Sequence, residues 1–360
     1  MRWLFIEPGR IGDWINSTVA VGKFIRNSPC AVDWVVRPEV ANLLPRSLEY
    51  GRVFILPDKK NIAKFVKALL HVRKVEYDGL CILSPGRSAW MIAKIASSKS
   101  KIGYLSYPDH NNSKVLYSSG ANDQRYQYRL LKDHLVVRAF KATGFDIQIK
   151  YEELNKVEAY HPKITLTEDD ITAARKVLVD IGIKKNRPLV VIHPGARWKY
   201  KRWPSERWIE LATLLSKRGN QVLIGGGPQE IMLAREIATK SAKLVHYLQK
   251  SISLAVFAAV VRQAKLLVAN DSAVMHLGAA VGTPLVALFG PTAPELSGPV
   301  GDSKRIVIAK TPIPPACHPC SHPSDNSSGK RCYAGHWECM ATLECSTVIR
   351  AINLLETIVI

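Results

Sequence analysis

What most constrains this 360-residue chain is an alternation. Short apolar runs at 3–7, 32–36, 52–56 and 80–83 read as strands. Segments at 13–24, 61–72, 88–96 and 124–142 place apolar residues at helical spacing, the last ending at Gly144. Strands separated by helices make βαβ units and a parallel sheet. A polar stretch without period, 150–162, reads as a linker, and Thr167-Glu168-Asp169-Asp170 caps the next helix. The alternation then restarts, with strands at 189–192, 222–224, 266–269 and 284–289 and helices opened by Pro204 and by Asn270-Asp271-Ser272. The expectation is an α/β protein of two facing Rossmann-like domains. Ligands of such sheets lie beyond the carboxyl ends of the strands, which puts a substrate cleft between the domains. The boundaries read as 1–162, 163–345 with a cysteine-rich loop at 317–345, and a mildly amphipathic segment at 346–360 that packs back.

Charge narrows the partners. Fifty Lys+Arg against thirty Asp+Glu leave +20, which calls for a polyanion: nucleic acid, an anionic membrane surface or a phosphorylated substrate. No helix-turn-helix, zinc-knuckle, RNP or lysine-rich tail signature accompanies it, so no nucleic-acid partner is expected. Half of the excess lies in 57–150, with seventeen Lys+Arg against seven Asp+Glu. No run reaches the roughly 20 apolar residues of a membrane span, and the first residues are too briefly apolar for a signal peptide. A cytoplasmic protein is expected, touching the inner face of a membrane at most.

Four strand-to-helix turns carry chemistry. At Asn270-Asp271-Ser272-Ala273 a polar triplet opens a helix, whose unsatisfied N–H groups suit a phosphate. Ser272 adds a hydroxyl, Asp271 caps the helix or accepts from a sugar hydroxyl, and His276 sits one turn inside, as a ligand contact or a core histidine. The second turn, His193-Pro194-Gly195-Ala196-Arg197, leads through Lys199 and Lys201 to Arg202-Trp203-Pro204. Lys201 is a compact cation suited to a diphosphate, set within what would otherwise be a solvated basic loop. The third, Glu7-Pro8-Gly9-Arg10-Ile11-Gly12-Asp13, lacks the spacing of a dinucleotide fingerprint. Asp13 would repel a pyrophosphate; it is a general base or a helix N-cap. In the fourth, Gly225-Gly226-Gly227-Pro228-Gln229-Glu230, glycines admit a nucleoside or a neighbouring backbone, and Glu230 bonds a ribose or favours the helix dipole.

Five of seven cysteines fall between Cys317 and Cys345. Cys317, Cys320, Cys332 and Cys339 begin with a CxxC, as a four-thiolate site would, but the second pair is spaced more widely. A structural zinc or iron and a metal-free loop of reduced thiols both remain open.

Together these motifs resemble the ADP-heptose:lipopolysaccharide heptosyltransferases, inverting glycosyltransferases of family 9 with the GT-B fold. The resemblance rests on Gly9-Arg10-Ile11-Gly12-Asp13, on Pro194-Gly195-Ala196 with Lys201-Arg202-Trp203-Pro204, and on the block from Asn270 to Gly290-Pro291-Thr292. It implies Asp13 as catalytic base, with Lys201, Asp271, Ser272, Ala273, His276, Gly195 and Glu230 on the donor. Arg10 and Arg87 are the cations expected on the acceptor. Where many members have Thr-Gly this chain has Ser272-Ala273, and Ala196-Arg197 replaces a hydroxyl pair; the family's ribose-binding glutamate falls near Pro228, two positions before Glu230. Some members carry a four-cysteine iron finger in a similar region.

The expected activity is transfer of heptose from ADP-heptose to a lipopolysaccharide core or related glycan, an acidic glycolipid, with no cofactor required for catalysis. The alternatives are another nucleotide-sugar donor, or a basic nucleic-acid- or glycolipid-binding protein without catalysis.

Overall fold

Each half of the chain builds its own parallel sheet. The computed structural model describes residues 1–41, 43–44, 51–57, 62–84, 87–103, 134–145, 149–302, 305–310 and 338–359. It divides into two units, Met1–Thr165 and Leu166–Ile360.

The first unit runs β1 (Arg2–Glu7), α1 (Ile11–Asn27), β2 (Ala31–Val36), β3 (Val53–Ile55), α2 (Ile62–Arg73), β4 (Glu76–Ile82), α3 (Arg87–Ile95), β5 (Ser97–Gly103) and α4 (Leu135–Ala142). Its strands pair in parallel in the order β3-β2-β1-β4-β5. β1 is central because its Leu4, Phe5 and Ile6 are buried on both faces, as parallel sheets under helices require. Phe5 packs edge-on against Phe24 of α1 and tilted against Trp34 of β2. The chain passes from β1 to β2 on one side and returns to β4 on the other. The segments after β1 and β4 therefore flank this sheet's topological switch point, where α/β sheets bind ligands. The motif from Glu7 to Asp13 occupies the first of them.

β5 escapes the sequence reading because it is polar, Ser97-Ser98-Lys99-Ser100-Lys101. As an edge strand it needs no apolar outer face, and lysines there discourage further pairing. Of the expected helix at 124–142 residues 134–142 are described; His134 is its extended N-cap, so the helix begins at Leu135 and runs to Ala142. The stretch read as a linker holds a single helical turn, Tyr151–Leu154, and a 3-10 turn, Glu158–Tyr160.

The second unit runs α5 (Glu168–Asp180), β6 (Leu189–His193), α6 (Ser205–Lys217), β7 (Gln221–Ile224), α7 (Ile231–Lys240), β8 (Val245–Tyr247), α8 (Leu254–Arg262), β9 (Leu266–Asn270), α9 (Ala273–Ala280), β10 (Leu285–Phe289), β11 (Ile306–Lys310) and α10 (Cys345–Val359). Thr167 and Asp170 form a reciprocal capping box at the start of α5. All strand pairs are parallel, in the order β11-β10-β9-β6-β7-β8, so the switch point lies between β6 and β9. The motifs after β6 and after β9 are brought side by side there. The fold class is thus α/β with two Rossmann-like parallel sheets.

The C-terminal helix α10 is part of this second unit's core. Val348, Ile352 and Leu355 are buried with Trp203, Trp208 and the β10 residues Val286 and Leu288. Trp203 stands edge-on to Trp208, 5.1 Å between ring centroids, and donates its indole N–H to the Leu343 carbonyl at 2.6 Å. That bond fastens the start of α6 to the segment entering α10.

Candidate active site

At the β6–β9 switch point the structure resolves what the sequence left open for Asp271. It does not cap α9. Its carboxylate pairs with the Lys201 ammonium, Nζ to Oδ2 at 2.5 Å, and accepts the Thr292 hydroxyl on the same oxygen. Lys201, 14% exposed, comes from a 3-10 turn, Lys199–Lys201, and its ammonium also lies 5.1 Å from the Trp198 ring centroid. Lys201 is therefore aimed inward at the β9 end rather than into solvent. Thr292 has no role in the sequence reading beyond membership of the block it ends; its hydroxyl is a second donor to the oxygen that Lys201 holds.

Asn270, the last residue of β9, explains why these residues meet. Its fully buried amide donates Nδ2 to the Pro194 carbonyl at 2.8 Å and accepts the Trp203 backbone N–H on Oδ1 at 3.3 Å. Both ends of the β6–α6 loop are thus fixed to the end of β9. Arg202 tightens the same loop by donating Nε to the Ala196 carbonyl at 2.6 Å.

Ser272 takes the N-cap position of α9, with extended backbone, but its hydroxyl makes no cap bond. Its Oγ is buried and, among the described residues, has no hydrogen-bond partner. A buried hydroxyl without a partner costs free energy, about 1–3 kcal/mol, that a ligand oxygen would recover. The first N–H groups of α9, which the Ser272 side chain does not cap, favour a negative charge beside it. His276 is buried one turn further in.

The glycine turns are filled by protein. A Cβ on Gly195 would lie 2.9 Å from both Glu230 Cγ and His193 Cε1, and one on Gly226 would lie 2.8 Å from Glu230 Cβ. A Cβ on Gly225 would meet the Phe257 ring at 2.7 Å. The close approach expected there of a nucleoside or a backbone is made by the Glu230 side chain and by Phe257. Glu230 Oε2 accepts the Gly227 N–H at 2.8 Å, while Oε1 stands next to Gly195. Gly195 and Glu230 are therefore neighbours on one side of the switch point. His193 beside them is buried, and burial pushes its imidazole down to about 4, so it is neutral at physiological pH. Its Nδ1 lacks a partner among the described residues.

In the first unit Asp13 is the third helical residue of α1, not the N-cap. Arg10 is the N-cap, and the Asp13 carboxylate accepts the Arg10 backbone N–H at 2.8 Å. Asp13 stays half-exposed at the carboxyl end of β1, and Arg10 is exposed beside it. Behind Asp13 lies a group the sequence reading passed over. Glu7 closes β1 after the apolar run 3–6 and is 1% exposed. Its Oε1 accepts the Gly9 N–H at 2.8 Å and its Oε2 the Ser17 hydroxyl at 2.9 Å. Burial, and then the neighbouring Asp13, push the Glu7 carboxyl up to about 7, against hydrogen bonds from Ser84, Gly9 and Ser17 that pull it down. The signal available in the sequence was a glutamate ending an apolar strand before Pro8-Gly9. Arg87 opens α3 after β4, the other segment at this switch point; its side chain lies outside the described residues.

Cys317, Cys320 and Cys332 also lie outside the described residues. Cys339 and Cys345 are buried, and burial pushes the Cys345 thiol up to about 12. Among the described residues no group of three or more His, Cys, Asp or Glu side chains could hold a metal.

The family model of glycosyltransferase family 9 (heptosyltransferase) matches residues 63–324. The lipopolysaccharide heptosyltransferase 2 of Salmonella typhimurium is 32% identical over 85% of this chain and 88% of its own length. Two solved structures share the fold. The Escherichia coli ADP-heptose lps heptosyltransferase II aligns with a TM-score of 0.73 at 21% identity, covering 99% of each chain. The E. coli heptosyltransferase WaaC with ADP aligns with a TM-score of 0.68 at 20% identity, covering 99% of this chain and 100% of that one.

The Glu7 carboxyl makes stability depend on pH in a defined direction. Below its ordinary value of 4.5 it is protonated in both folded and unfolded chains and carries no penalty. From there to about 7 the unfolded chain gains by ionising while the folded chain does not, so stability falls. Above that the full penalty, at most roughly 3 kcal/mol, persists. Glu7→Gln keeps an acceptor for Gly9 and removes the charge. Thermal unfolding across this range should find the variant more stable than the parent at pH 8 and no more stable at pH 4.5. Equal melting temperatures at pH 8 would contradict the assignment.

Proposed function

The chain belongs to glycosyltransferase family 9, the heptosyltransferases, and is a transferase; on that premise we propose that it moves heptose from ADP-heptose to a lipopolysaccharide core or related glycan, with inversion and with Asp13 as general base. The observation that carries the donor half is the buried Ser272 hydroxyl at the start of α9, without a hydrogen-bond partner among the described residues, beside the Lys201–Asp271 pair. A diphosphate supplies what that arrangement lacks: oxygens for the hydroxyl and the helix N–H groups, and a counter-charge for Lys201. The ammonium then passes from Asp271 to phosphate. Asp271, still held by Thr292, is left to accept a hydroxyl of the donor sugar. Gly195 and Glu230 take the ribose side.

In the reaction the acceptor oxygen attacks the anomeric carbon from the face opposite the diphosphate. Its proton goes to the Asp13 carboxylate as the new C–O bond forms. The old C–O bond breaks with its electron pair leaving on ADP, and Lys201 with the α9 N–H groups stabilises the added charge. No step calls on a metal. Arg10 and Arg87 are proposed to hold acidic groups of the acceptor. On the sequence alone, Cys317, Cys320, Cys332 and Cys339 are proposed to bind a structural zinc or iron; metal analysis of the purified chain that finds neither in stoichiometric amount removes that proposal.

The acceptor reading extends to a surface. No helix among the described residues is long and apolar enough to cross a membrane. Helices α2 and α3 pack together and contain no acidic residue. They expose Val66, Leu70, Met91 and Ile95, with Lys67 and Lys94 exposed among them. Apolar side chains set among lysines suit an anionic lipid surface, and a cytoplasmic enzyme resting there would meet a glycolipid acceptor. Co-flotation with vesicles rich in anionic lipid should be clear, weak with zwitterionic vesicles, and weakened several-fold by Lys67→Glu with Lys94→Glu. Equal recovery with both vesicle types would remove the surface assignment.

The donor is tested with a panel of ADP-heptose, UDP-sugars and GDP-sugars, read by thermal shift and by nucleotide release in the presence of acceptor. ADP-heptose should give the largest shift and the only turnover. Lys201→Ala should weaken ADP binding about tenfold or more, and Asp13→Asn should abolish transfer with ADP binding retained. Preference for another nucleotide sugar would reassign the donor, and a panel without any shift would defeat the reading.

A further inference from the structure

The acceptor-side turn contains a second carboxyl that the mechanism above does not use. Glu7 is buried beneath Asp13, and Gly9 is what lets them approach. A Cβ on Gly9 would collide with Glu7 Oε1 while lying 2.9 Å from Asp13 Cβ and 3.0 Å from Asp13 Oδ2. Both carboxyl groups close on the space a side chain would fill. Ser17, one turn beyond Asp13 in α1, ties the arrangement together: its hydroxyl lies 2.9 Å from Glu7 Oε2 and 2.9 Å from the Asp13 carbonyl.

Among the described residues the surroundings of Glu7 offer it hydrogen bonds and no paired cation. From α1 it faces Asp13 and Ser17; from β4 and the segment after it, Cys81 and Ser84. The Cys81 thiol is itself held neutral by burial and by Glu7. From the end of β2, Arg37 donates Nε to the Pro8 carbonyl at 2.7 Å, and on the turn Arg10 is exposed. Among the described residues no Lys, Arg or His pairs with Glu7. If its only task were to accept the Gly9 and Ser17 hydrogen bonds, a glutamine would do it without the cost of a buried charge.

We propose that Glu7 is a positioning residue for the transfer reaction, its carboxyl backing Asp13 across the bare Cα of Gly9 and, once ionised, making Asp13 a stronger base. The physics is that of two coupled acids. A negative charge on one raises the proton affinity of the other, and a base of higher proton affinity takes the acceptor proton at a lower barrier. Because Glu7 ionises near pH 7, the base strengthens across neutrality. This inference rests on the reading of Asp13 as the base.

The test is the pH dependence of kcat with ADP-heptose and a truncated lipopolysaccharide core, for the full chain and for Glu7→Gln and Asp13→Asn. The parent should gain about three- to tenfold in kcat between pH 6 and pH 8. Glu7→Gln should lose that rise and stay near the pH 6 rate, with both KM values unchanged. Melting curves at each pH confirm that it is folded. A Glu7→Gln profile parallel to the parent's, or a uniform loss with raised KM, overturns the proposal by making Glu7 a packing residue. With Asp13→Asn inactive, that result removes this inference alone. Transfer surviving in Asp13→Asn removes the base reading and this inference with it.

Discussion

Asn270 ends β9 with its amide wholly buried, and both ends of that amide reach across the switch point of the second sheet. Nδ2 holds the Pro194 carbonyl at the start of the β6–α6 loop and Oδ1 holds the Trp203 N–H at its end. Neither partner has water to fall back on, so breaking the clamp would leave buried polar groups unmatched at about 1–3 kcal/mol each. The geometry of the proposed donor site follows from it. With the loop fixed at both ends, its basic turn can only fold over the β9 terminus, where Lys201 meets Asp271. Trp203 extends the chain of constraint through its indole to Leu343 and so to α10.

The charges on this frame are arranged in opposite ways in the two units. In the second, the Lys201 ammonium and the Asp271 carboxylate are paired where desolvation would penalise either alone. In the proposed donor complex a diphosphate exchanges into that pair because it offers Lys201 more negative charge than Asp271 does, while Thr292 keeps its bond to Asp271. In the first unit two carboxyl groups, Glu7 and Asp13, share a turn with no cation bonded to Glu7 among the described residues, and burial with the neighbouring Asp13 raises the proton affinity of Glu7. One arrangement suits receiving an anion and the other suits taking a proton, the two requirements of displacing a diphosphate with a hydroxyl.

Much of this was legible in the residues. The alternation of apolar runs and helical periods gives the two parallel sheets because buried strands and amphipathic helices leave direct marks on sequence. Asp13, Asp271 and Ser272 stand out as polar residues between an apolar strand and a helix, where capping and ligand binding both have a use for them, and Lys201 as a cation in the loop that follows β6. Tertiary partners were not legible. Asp271 reads equally as an N-cap until Lys201, seventy positions earlier, is seen on its carboxylate. Asn270 looks like part of a helix start until its two long-range bonds appear, and Glu230 filling the glycine turn depends on a packing that no local pattern encodes. β5 was missed because an edge strand is free to be polar. The cysteine pattern at 317–332 falls outside the described residues, so it stands on sequence alone.

The proposed donor site is decided by a crystal structure with ADP bound. The diphosphate is expected at the start of α9, with Ser272 Oγ within hydrogen-bond distance of a phosphate oxygen, the Lys201 ammonium moved from Asp271 to phosphate, and the Asn270 clamp unchanged. ADP bound away from the β6–β9 switch point, or bound there with Lys201 still on Asp271 and Ser272 still without a partner, would contradict it.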